Sequence, residues 1–589
     1  MAAACRNASA PPSAASVVPA APTYSRDVAP IITKHCVTCH RPQQGAPFVL
    51  LTYEDARRRS ADIAAVTKAR QMPPWLPDTS APAFEGERRL SDTEIETLQR
   101  WSETGAVAGD ATAVIQDPGT AWQLGRPDVI LQPPAPFMLG AGRDDVFRNL
   151  VVRTSFEGDR FVRAVEFQPG DAPVHHAVLH LDQTPASRRR DGEDGQPGFG
   201  GMGAAGAEDP EGHFVGWAPG RGPIVSATGR PWRLRRGVDL VVELHLIPGA
   251  QPAPIKPAIA LYFADAPADA PPMMLKLGDP PIDIPPGATD YAITDEYVVP
   301  VDAKVLSLYP HAHYLGKEMR VEARLPGGGT KTLLHIPRWS FHWQQDYRCV
   351  APVQLPRGTT IAMRFTYDNS EANTENPHHP PLRVTSGLRS TDEMGNLLVQ
   401  LLPANDSERD LLAREIARFQ VLRQLAAAER AAMAAPADAR VLNELGALLL
   451  IVGRTADAVA RFQAAAAAAP KDARILYNLG KAESAAGSAQ AAEAALRRAI
   501  ASDPSLAEAH NELGALLFAR GRLTDAIAAL GRAVKLAPDS SAFRSDYGGA
   551  LAQSGRRTEA IAELTRALAL DPGNAAAREN LTRLQRGRD

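Results

Sequence analysis

The chain has 589 residues, of which 44% are hydrophobic and 22% are charged, with a formal net charge of -3. This is the composition of a globular protein, and the length predicts about three to five domains. The near-neutral charge excludes recruitment of nucleic acid or of an anionic membrane by charge alone, and no apolar stretch reaches the roughly 18 residues that span a bilayer. The cysteines are too few for a disulfide framework: Cys5, Cys36, Cys39 and Cys349.

Residues 1–22 are rich in Ala, Pro and Ser, which predicts a disordered leader or linker. The stretch from Ala2 to Cys5 resembles the end of a lipoprotein cleavage site, in which case a lipid at Cys5 would anchor the protein to a membrane. The alternative is an ordinary free cysteine in the leader. The residues before Cys5 are too few for the apolar core of an export signal.

Residues 23–112 are predicted to form a small all-α cytochrome c domain, because Cys36, Cys39 and His40 have the pattern CxxCH. In this haem attachment sequence the two thiols form thioethers with the haem, and the histidine is the proximal ligand of the iron. The alternatives are a bare redox CxxC and a partial zinc site. Covalent haem also predicts a periplasmic or otherwise extracytoplasmic location.

Met72 is the candidate for the sixth iron ligand, since the two prolines that follow it stiffen an extended loop that can present the thioether. A His/Met pair favours electron transfer over oxygen binding. The alternative is a loop methionine that packs on a core. Further along, Ser91 and Glu94 have the spacing of a capping box, which predicts a helix that continues through Trp101.

The middle of the chain is predicted to form two all-β sandwiches, over 119–268 and 269–404. Short alternating runs are separated there by Pro and Gly clusters, and a Pro-rich passage marks the boundary. The stretches 238–247 and 305–313 are good strand candidates. Trp339, Phe341 and Trp343 have the spacing of one strand face, which predicts a part of the core or, alternatively, the wall of a substrate pocket.

Six side chains in this region suit two copper sites: His175, His176, His245, His311, His313 and Met394. Imidazole suits copper, and a thioether favours the cuprous state. His311 and His313 would share one strand face and can chelate one ion, which Met394 would complete. His175 and His176 are adjacent, so joint binding with His245 requires a bulge, a strand end or a turn. Each residue alone is weak evidence, because a lone buried histidine is usually a hydrogen-bonded core residue.

Four motifs in the same region have a family resemblance: Val174-His175-His176-Ala177, Glu243-Leu244-His245, His311-Ala312-His313-Tyr314-Leu315-Gly316 and Thr391-Asp392-Glu393-Met394-Gly395-Asn396. With them, the stretch from Trp122 to Leu402 resembles the copper type II, ascorbate-dependent monooxygenases. That family includes peptidylglycine α-hydroxylating monooxygenase and dopamine β-monooxygenase. The chain departs from it in lacking the cysteines that form the disulfides of the animal enzymes.

The resemblance implies two jelly-roll-like β-sandwiches with one copper each, facing across a solvent-filled cleft. By that resemblance, His175, His176 and His245 would hold an electron-relay copper. The catalytic, oxygen-binding copper would be held by the other set: His311, His313 and Met394. The N-terminal segment similarly resembles the small haem domains that precede such copper domains in bacterial proteins, so the haem would take over the role of ascorbate.

From residue 405 onward the chain is Ala-rich and helical, and glycines recur every 34 residues at Gly446, Gly480, Gly514 and Gly548. A 34-residue helix–turn–helix period is the signature of tetratricopeptide repeats. We expect four repeats within 439–589, with a capping helix from Ala575, and a connecting helix or degenerate repeat over 405–438. Such arrays bind a protein or peptide partner.

The main hypothesis is therefore a copper-dependent monooxygenase, an enzyme that hydroxylates a C–H bond of an unidentified organic substrate with O2. Its cofactors would be two copper ions and one covalently bound c-type haem, and it would need an electron donor. The first alternative is a haem/copper electron-transfer or sensing protein without oxygenase turnover. The second is an assembly scaffold that acts through its tetratricopeptide repeats. No nucleic-acid partner is expected.

Overall fold

The computed structural model describes the following residues: 18–41, 46, 48–110, 122–142, 144–170, 173–184, 186–204, 206–210, 212–219, 221–226, 230–264, 271–278 and 281–586. The chain divides into two compact units, Met1–Glu415 and Ile416–Asp589. Cys5, the candidate lipid site, lies outside the described residues. Within the described ranges, no helix combines the length and the apolar character needed to cross a membrane.

The N-terminal helical region contains a turn of π-helix, Tyr24–Val28, and the helices α1 Ala29–His35, α2 Tyr53–Arg58, α3 Ser60–Lys68 and α4 Asp92–Glu103. Helix α4 begins with the predicted capping box, in which the Ser91 hydroxyl accepts from the N–H of Glu94 and the Glu94 carboxylate accepts from the N–H of Ser91. Leu98 and Trp101 on α4 are fully buried. The region therefore has an apolar core of its own.

The first strand-rich region contains a short helix, α5 Ala186–Arg190, and these strands: β1 Val129–Leu131, β2 Phe137–Leu139, β3 Val146–Val152, β4 Arg160–Gln168, β5 Val174–Asp182, β6 Phe199–Gly200, β7 Gly216–Trp217, β8 Ile224–Val225, β9 Trp232–Leu234, β10 Asp239–Leu246, β11 Ala253–Ile255 and β12 Ala258–Phe263. One sheet has the order β1-β12-β4-β8, with β9 also on β4; the other has the order β6-β3-β10-β5-β7. Side chains from both sheets, such as Leu244 and Leu261, share one core.

The second strand-rich region contains the strands β13 Met273–Gly278, β14 Asp283–Ile284, β15 Tyr291–Val298, β16 Ala303–Ala312, β17 Gly316–Arg324, β18 Thr330–Ile336, β19 Tyr347–Leu355, β20 Thr360–Tyr367, β21 Val384–Thr385 and β22 Gly395–Pro403. Its two larger sheets have the orders β13-β22-β16-β19 and β15-β20-β17-β18. Alternate residues of β20, namely Ile361, Met363 and Phe365, are buried. This alternation is typical of a strand with one face on a core.

Residues 337–346 connect β18 to β19 and do not form a strand. The prediction that Trp339, Phe341 and Trp343 alternate on one strand face is therefore wrong. Trp339 and Phe341 are nevertheless buried, and the indole N–H of Trp339 donates to the carbonyl of His313 (3.1 Å). The connection carries apolar rings because it passes between packed elements.

A short segment attaches the N-terminal helical region to the edge of the second strand-rich region. The N–H of Val350 on β19 donates to the carbonyl of Ala83 (2.9 Å), and the N–H of Glu85 donates to the carbonyl of Arg348 (2.8 Å). Residues 83–85 therefore run antiparallel beside β19. Main-chain hydrogen bonds fix these two parts of the first unit to each other.

The C-terminal part of the chain is all-helical, with α6 Asp406–Ala434, α7 Ala439–Ile451, α8 Thr455–Ala468, α9 Ala473–Ala485, α10 Ala489–Ser502, α11 Ala507–Ala519, α12 Leu523–Leu536, α13 Ser541–Gln553, α14 Arg557–Leu570 and α15 Ala575–Arg586. Helices α7 to α14 form four successive antiparallel pairs. The periodic glycines lie where the two helices of a pair touch: a Cβ on Gly480 would come within 2.6 Å of Leu496, and one on Gly514 within 2.5 Å of Leu530. Only glycine permits this close approach.

Candidate metal centres

Three histidines of the first strand-rich region meet at a β-bulge. On the paired strands β10 and β5, His245 lies opposite His176, but Leu246 lies opposite Val174. His175 is therefore the extra residue of the bulge, which is the irregularity that an adjacent histidine pair needs to turn both rings toward one point.

The three imidazoles present the same nitrogen to a common centre. Nδ1 of His175 lies 3.2 Å from Nδ1 of His176 and 3.2 Å from Nδ1 of His245. Two imidazole nitrogens that each lie about 2.0–2.1 Å from one ion are about 3.3–3.6 Å apart at tetrahedral to trigonal angles. Two of the three separations are close to these values, and a set of three imidazoles suits a transition-metal ion such as copper or zinc.

The surroundings keep His175 and His176 in the neutral form that binds metals. Burial, together with the neighbouring imidazoles, lowers the pKa of His175 to about 3 and the pKa of His176 well below its ordinary value. A carboxylate oxygen of Asp145 lies 3.3 Å from Nε2 of His245. Such a carboxylate orients a ligating histidine and fixes its tautomer, which leaves Nδ1 for the metal.

The second set lies on neighbouring strands of the other strand-rich region. Strand β16 ends at Ala312, which pairs with Gly395 at the start of β22, so that Met394 lies across from His313. The rings of His311 and His313 are 5.3 Å apart. The register therefore brings the two histidines and the methionine to one end of the sheet, as the two-apart spacing predicts.

In this second set, Nδ1 of each histidine forms a hydrogen bond with another residue of the protein. The Nδ1–H of His311 donates to Oε1 of Gln344 (2.5 Å), and the Nδ1–H of His313 donates to the carbonyl of Asp392 (3.1 Å). These bonds select the tautomer in which Nε2 would be the ligand nitrogen. Burial lowers the pKa of His313 to about 4, so this imidazole is neutral near neutral pH.

Glu393 forms hydrogen bonds with the backbone of both chain segments that carry the second set. Its side chain has no solvent exposure, and its two oxygens accept hydrogen bonds from the N–H groups of His313 (2.5 Å), Met394 (2.8 Å) and Leu315 (3.0 Å). Burial raises the pKa of Glu393 to about 8, although the three donors act in the opposite direction. This carboxyl group fixes the backbone of one ligand candidate against that of another.

The ring of Phe341 contacts both histidine sets. It stacks on the ring of His175 (centroids 5.1 Å apart, planes at 25°) and meets the ring of His313 edge-on at 5.7 Å. Phe341 is only 2% exposed. In the resemblance, an open, solvent-filled cleft separates the two sites, whereas here a buried phenyl ring contacts both sets.

A cavity of about 500 Å³ in the N-terminal helical region is lined by all the haem candidates: Cys36, Cys39, His40 and Met72. Its lining is mostly apolar, and its size is within the range of small-molecule and cofactor pockets. Both cysteines are free thiols, and burial raises the pKa of Cys36 to about 12. Unreacted thiols facing an apolar cavity fit covalent haem attachment.

His40 is oriented as a proximal ligand requires. Its Nδ1–H donates to the carbonyl of Phe48 (3.1 Å), which leaves Nε2 as the nitrogen for the iron. Arg88 also lines the cavity, with its guanidinium 3.8 Å from the sulfur of Cys39. Cys349 lies outside this group, buried on β19.

Sequence reasoning missed what four residues do to position the candidates, although it named Phe341 for the core or a pocket wall: Asp145, Phe341, Gln344 and Glu393. Glu393 stands next to Met394, but nothing local indicates that its carboxyl group is buried. The other three lie on loops or strand ends far along the chain from the histidines they contact. No spacing rule could have found them.

A tetratricopeptide repeat family model matches residues 452–507, 477–541 and 511–575. Among solved structures, MamA is 27% identical and the alignment covers 26% of this chain and 88% of that chain, with a TM-score of 0.24. YrrB, described as a TPR protein with an unusual peptide-binding site, is 20% identical over 29% of this chain and 88% of its own, with a TM-score of 0.25. A thermophilic TPR protein of Thermus thermophilus is 23% identical over 29% of this chain and 94% of its own, with a TM-score of 0.26.

No curated protein matches the chain. The family match establishes that the C-terminal region consists of tetratricopeptide repeats, as the 34-residue period predicts. The protein is thus multidomain, with a strand-rich middle and an all-α repeat region. Repeats of this kind support a protein or peptide partner.

Proposed function

We propose that the protein is a copper-dependent monooxygenase that hydroxylates a C–H bond of an organic substrate, with electrons supplied through a covalently bound c-type haem. The observation that carries the proposal is the convergence of His175, His176 and His245, in which Nδ1 of His175 lies 3.2 Å from Nδ1 of each of the other two. Bound copper supplies the reductive activation of O2, and bound haem supplies single electrons.

The residues of the first set would hold one copper ion through Nδ1. The bulge at His175 brings its ring beside that of His176, and β10 brings His245 from the neighbouring strand. Asp145 orients His245 from the other side of its ring. The neighbouring ring of Phe147 stacks on His245 with centroids 4.5 Å apart and limits its rotation.

The residues of the second set would hold the other copper ion, through Nε2 of His311 and His313 and the sulfur of Met394. Mixed nitrogen and sulfur ligands favour the cuprous state, which is the state that reacts with O2. Glu393 holds Met394 against His313 through its bonds to both backbone N–H groups. The buried ring of Phe341 contacts one histidine of each set.

The first test is the metal and haem content of protein matured in a periplasm with copper supplied. We expect one copper for each histidine set and one covalent haem per chain. A His180→Ala variant is the matched control, because His180 lies on β5 outside the converging set. Haem without copper, or zinc in place of copper, would contradict the proposal.

The second test is oxygen uptake with a panel of organic substrates and a direct chemical reductant. A substrate should increase uptake and give a product with one added hydroxyl group. Met394→Ala is expected to abolish product formation while the haem spectrum stays unchanged. Product formation by Met394→Ala at the normal rate would remove Met394 from the oxygen site.

A second candidate function is a scaffold that acts through the repeats, with the redox groups serving electron transfer or sensing. The family match over 452–575 favours it. Removal of the residues after Ala435 separates the two: an enzyme retains its chemistry with a direct reductant, whereas a scaffold loses its function.

We further propose an extracytoplasmic location, because covalent haem attachment takes place there. In the monooxygenase, the repeats would bind a protein or peptide partner, such as the electron donor. Pull-down of the donor by the full chain, and its loss on removal of the repeats, would test that assignment.

A further inference from the structure

The connection formed by residues 337–346 passes from the haem cavity to the second histidine set. Trp343 lines the cavity that Cys36 and Cys39 also line. The next residue, Gln344, is 6% exposed, and its Oε1 accepts the hydrogen bond from Nδ1–H of His311 (2.5 Å). The covalent bonds of two adjacent residues, Trp343 and Gln344, and one hydrogen bond therefore join a cavity-lining indole to a candidate copper ligand.

The same connection reaches the first histidine set only through a van der Waals contact. The Nε2–H of Gln344 donates to the carbonyl of Phe341 (3.0 Å), and the Phe341 ring then stacks on His175 at 5.1 Å between centroids. Electron tunnelling decays more steeply across such a gap than along covalent bonds and hydrogen bonds. The path to His311 is thus covalent and hydrogen-bonded throughout, whereas each path to His175, through Phe341 or through His342 (centroids 6.1 Å from His175), ends in a gap between two rings.

A second approach to the first set starts at Pro219, which also lines the cavity. From there the main chain leads back to Trp217, which pairs with Ala177, the residue after His176. This path contains more bonds than the step from Trp343 to Gln344. We therefore expect it to couple the cavity to the first set less well than Gln344 couples the cavity to His311.

The N-terminal helical region is also attached to the strand-rich region that carries His311. The Asp78 carboxylate accepts a hydrogen bond from Nδ1–H of His335 (2.6 Å), and an N–H of Arg88 donates to the side-chain oxygen of Gln345 (3.4 Å). Residues 83–85 also pair with β19. Together, these hydrogen bonds keep the helical region that contains the cavity next to residues 337–346.

We propose that Trp343 and Gln344 form the route by which electrons leave the haem, and that the copper at His311, His313 and Met394 is the first acceptor. The inference rests on the proposed function and deepens it. One electron leaves ferrous haem, which becomes ferric, and one cupric ion becomes cuprous; no bond forms or breaks. Gln344 is a positioning residue, because it acts through His311.

If electrons follow this route, loss of one copper site should change the rate of haem reoxidation and loss of the other should not. The haem of the copper-loaded holoprotein is photoreduced without oxygen, and its reoxidation is followed in the haem absorption bands together with loss of the cupric electron paramagnetic resonance signal. His245→Ala, which disrupts the first set, should reoxidise its haem at the normal rate. His313→Ala, which disrupts the second, should leave the haem reduced for much longer. The reverse pattern would overturn the route.

The connection itself is tested with Gln344→Leu, which removes the acceptor for His311 and should slow haem reoxidation about tenfold, the lower end of the loss in metal affinity or activity that removal of such a partner causes. Gln344→Glu keeps an acceptor oxygen and should restore the rate. His342→Leu is the matched control, since it alters a ring contact to His175 (centroids 6.1 Å apart) but keeps the hydrogen bond between Gln344 and His311, and it should leave the rate unchanged.

Copper and haem contents are measured first for every variant, so that two failures are distinguishable. An unaltered protein that takes up no copper overturns the proposed function and the route with it. Normal reoxidation in a Gln344→Leu variant with full contents, or in a His313→Ala variant that has lost its second copper, overturns the route alone. If Gln344→Leu loses its second copper, Trp343→Leu, which leaves the hydrogen bond to His311 in place, gives the deciding rate.

Discussion

The repeat region depends on recurring contacts between neighbouring helices, whereas the strand-rich region depends on contacts between residues far apart in the chain. In the repeats, the same small residues recur every 34 positions and each helix packs on its neighbours in sequence. In the strand-rich region, His245 meets His175 across 70 residues, and each candidate ligand occurs once. Damage to a repeat should therefore stay local and graded, whereas damage to a site should be complete.

The largest effect is expected from replacing the two thiols of the haem cavity. Cys36→Ser with Cys39→Ser removes both groups that can form thioethers, so covalent haem should be lost entirely while copper content stays normal. Cys349→Ser is the control, because that thiol lies on β19 away from the cavity. The haem stain after denaturing electrophoresis measures the outcome, and a stained double variant would contradict the assignment.

The next largest effect is the loss of a single copper. His176→Ala removes one of three converging nitrogens. The variant should lose the copper ion of the first set and keep that of the second set and the haem. Elemental analysis measures it, with His180→Ala as the comparison on the same strand. If His176→Ala retained all its copper, the three-histidine site would be wrong.

A smaller, graded effect is expected at Glu393. In Glu393→Gln, an amide –NH2 replaces one acceptor oxygen, so that at least one backbone donor of the ligand segments is left buried and unpaired. Such a loss costs about 1–3 kcal/mol of unfolding free energy. Denaturant unfolding of the two proteins gives the difference, and a change within about 0.5 kcal/mol would mean that the three bonds are dispensable.

An effect no larger than that at Glu393 is expected in the repeats, and its sign depends on the glycine. Gly514→Ala places a Cβ 2.5 Å from Leu530 and should destabilise the repeat region by about 1–3 kcal/mol through overpacking. Gly531→Ala, also in a helix, meets only an ordinary contact at 3.4 Å and should stabilise by about 0.5–1 kcal/mol. Thermal unfolding distinguishes them, and copper and haem contents should stay normal in both.

Local signals in the sequence predicted the local features well. The capping box at Ser91 and the repeat period each depend on neighbours in the chain. The adjacent pair His175-His176 even required the bulge that the structure has. In contrast, alternation at Trp339, Phe341 and Trp343 predicted a strand, because apolar alternation alone does not distinguish one sheet face from burial among several elements.

The unpredicted residues share one physical property: their roles arise from tertiary contacts. Gln344 is an ordinary polar residue until the fold places its amide beside His311. Asp145 is an acidic loop residue until β10 brings His245 within 3.3 Å. Hydrogen-bond partners of this kind become visible only when strands distant in sequence are in register.

The pairing of residues 83–85 with β19 also bears on how parts of this protein behave in solution. β19 is the outer strand of its sheet, and Val350 on it is 62% exposed. An open strand edge with an exposed apolar side chain is a template for pairing between molecules. Removal of the N-terminal helical region would uncover this edge and promote aggregation, so the second strand-rich region will be most soluble when residues 77–88 remain attached.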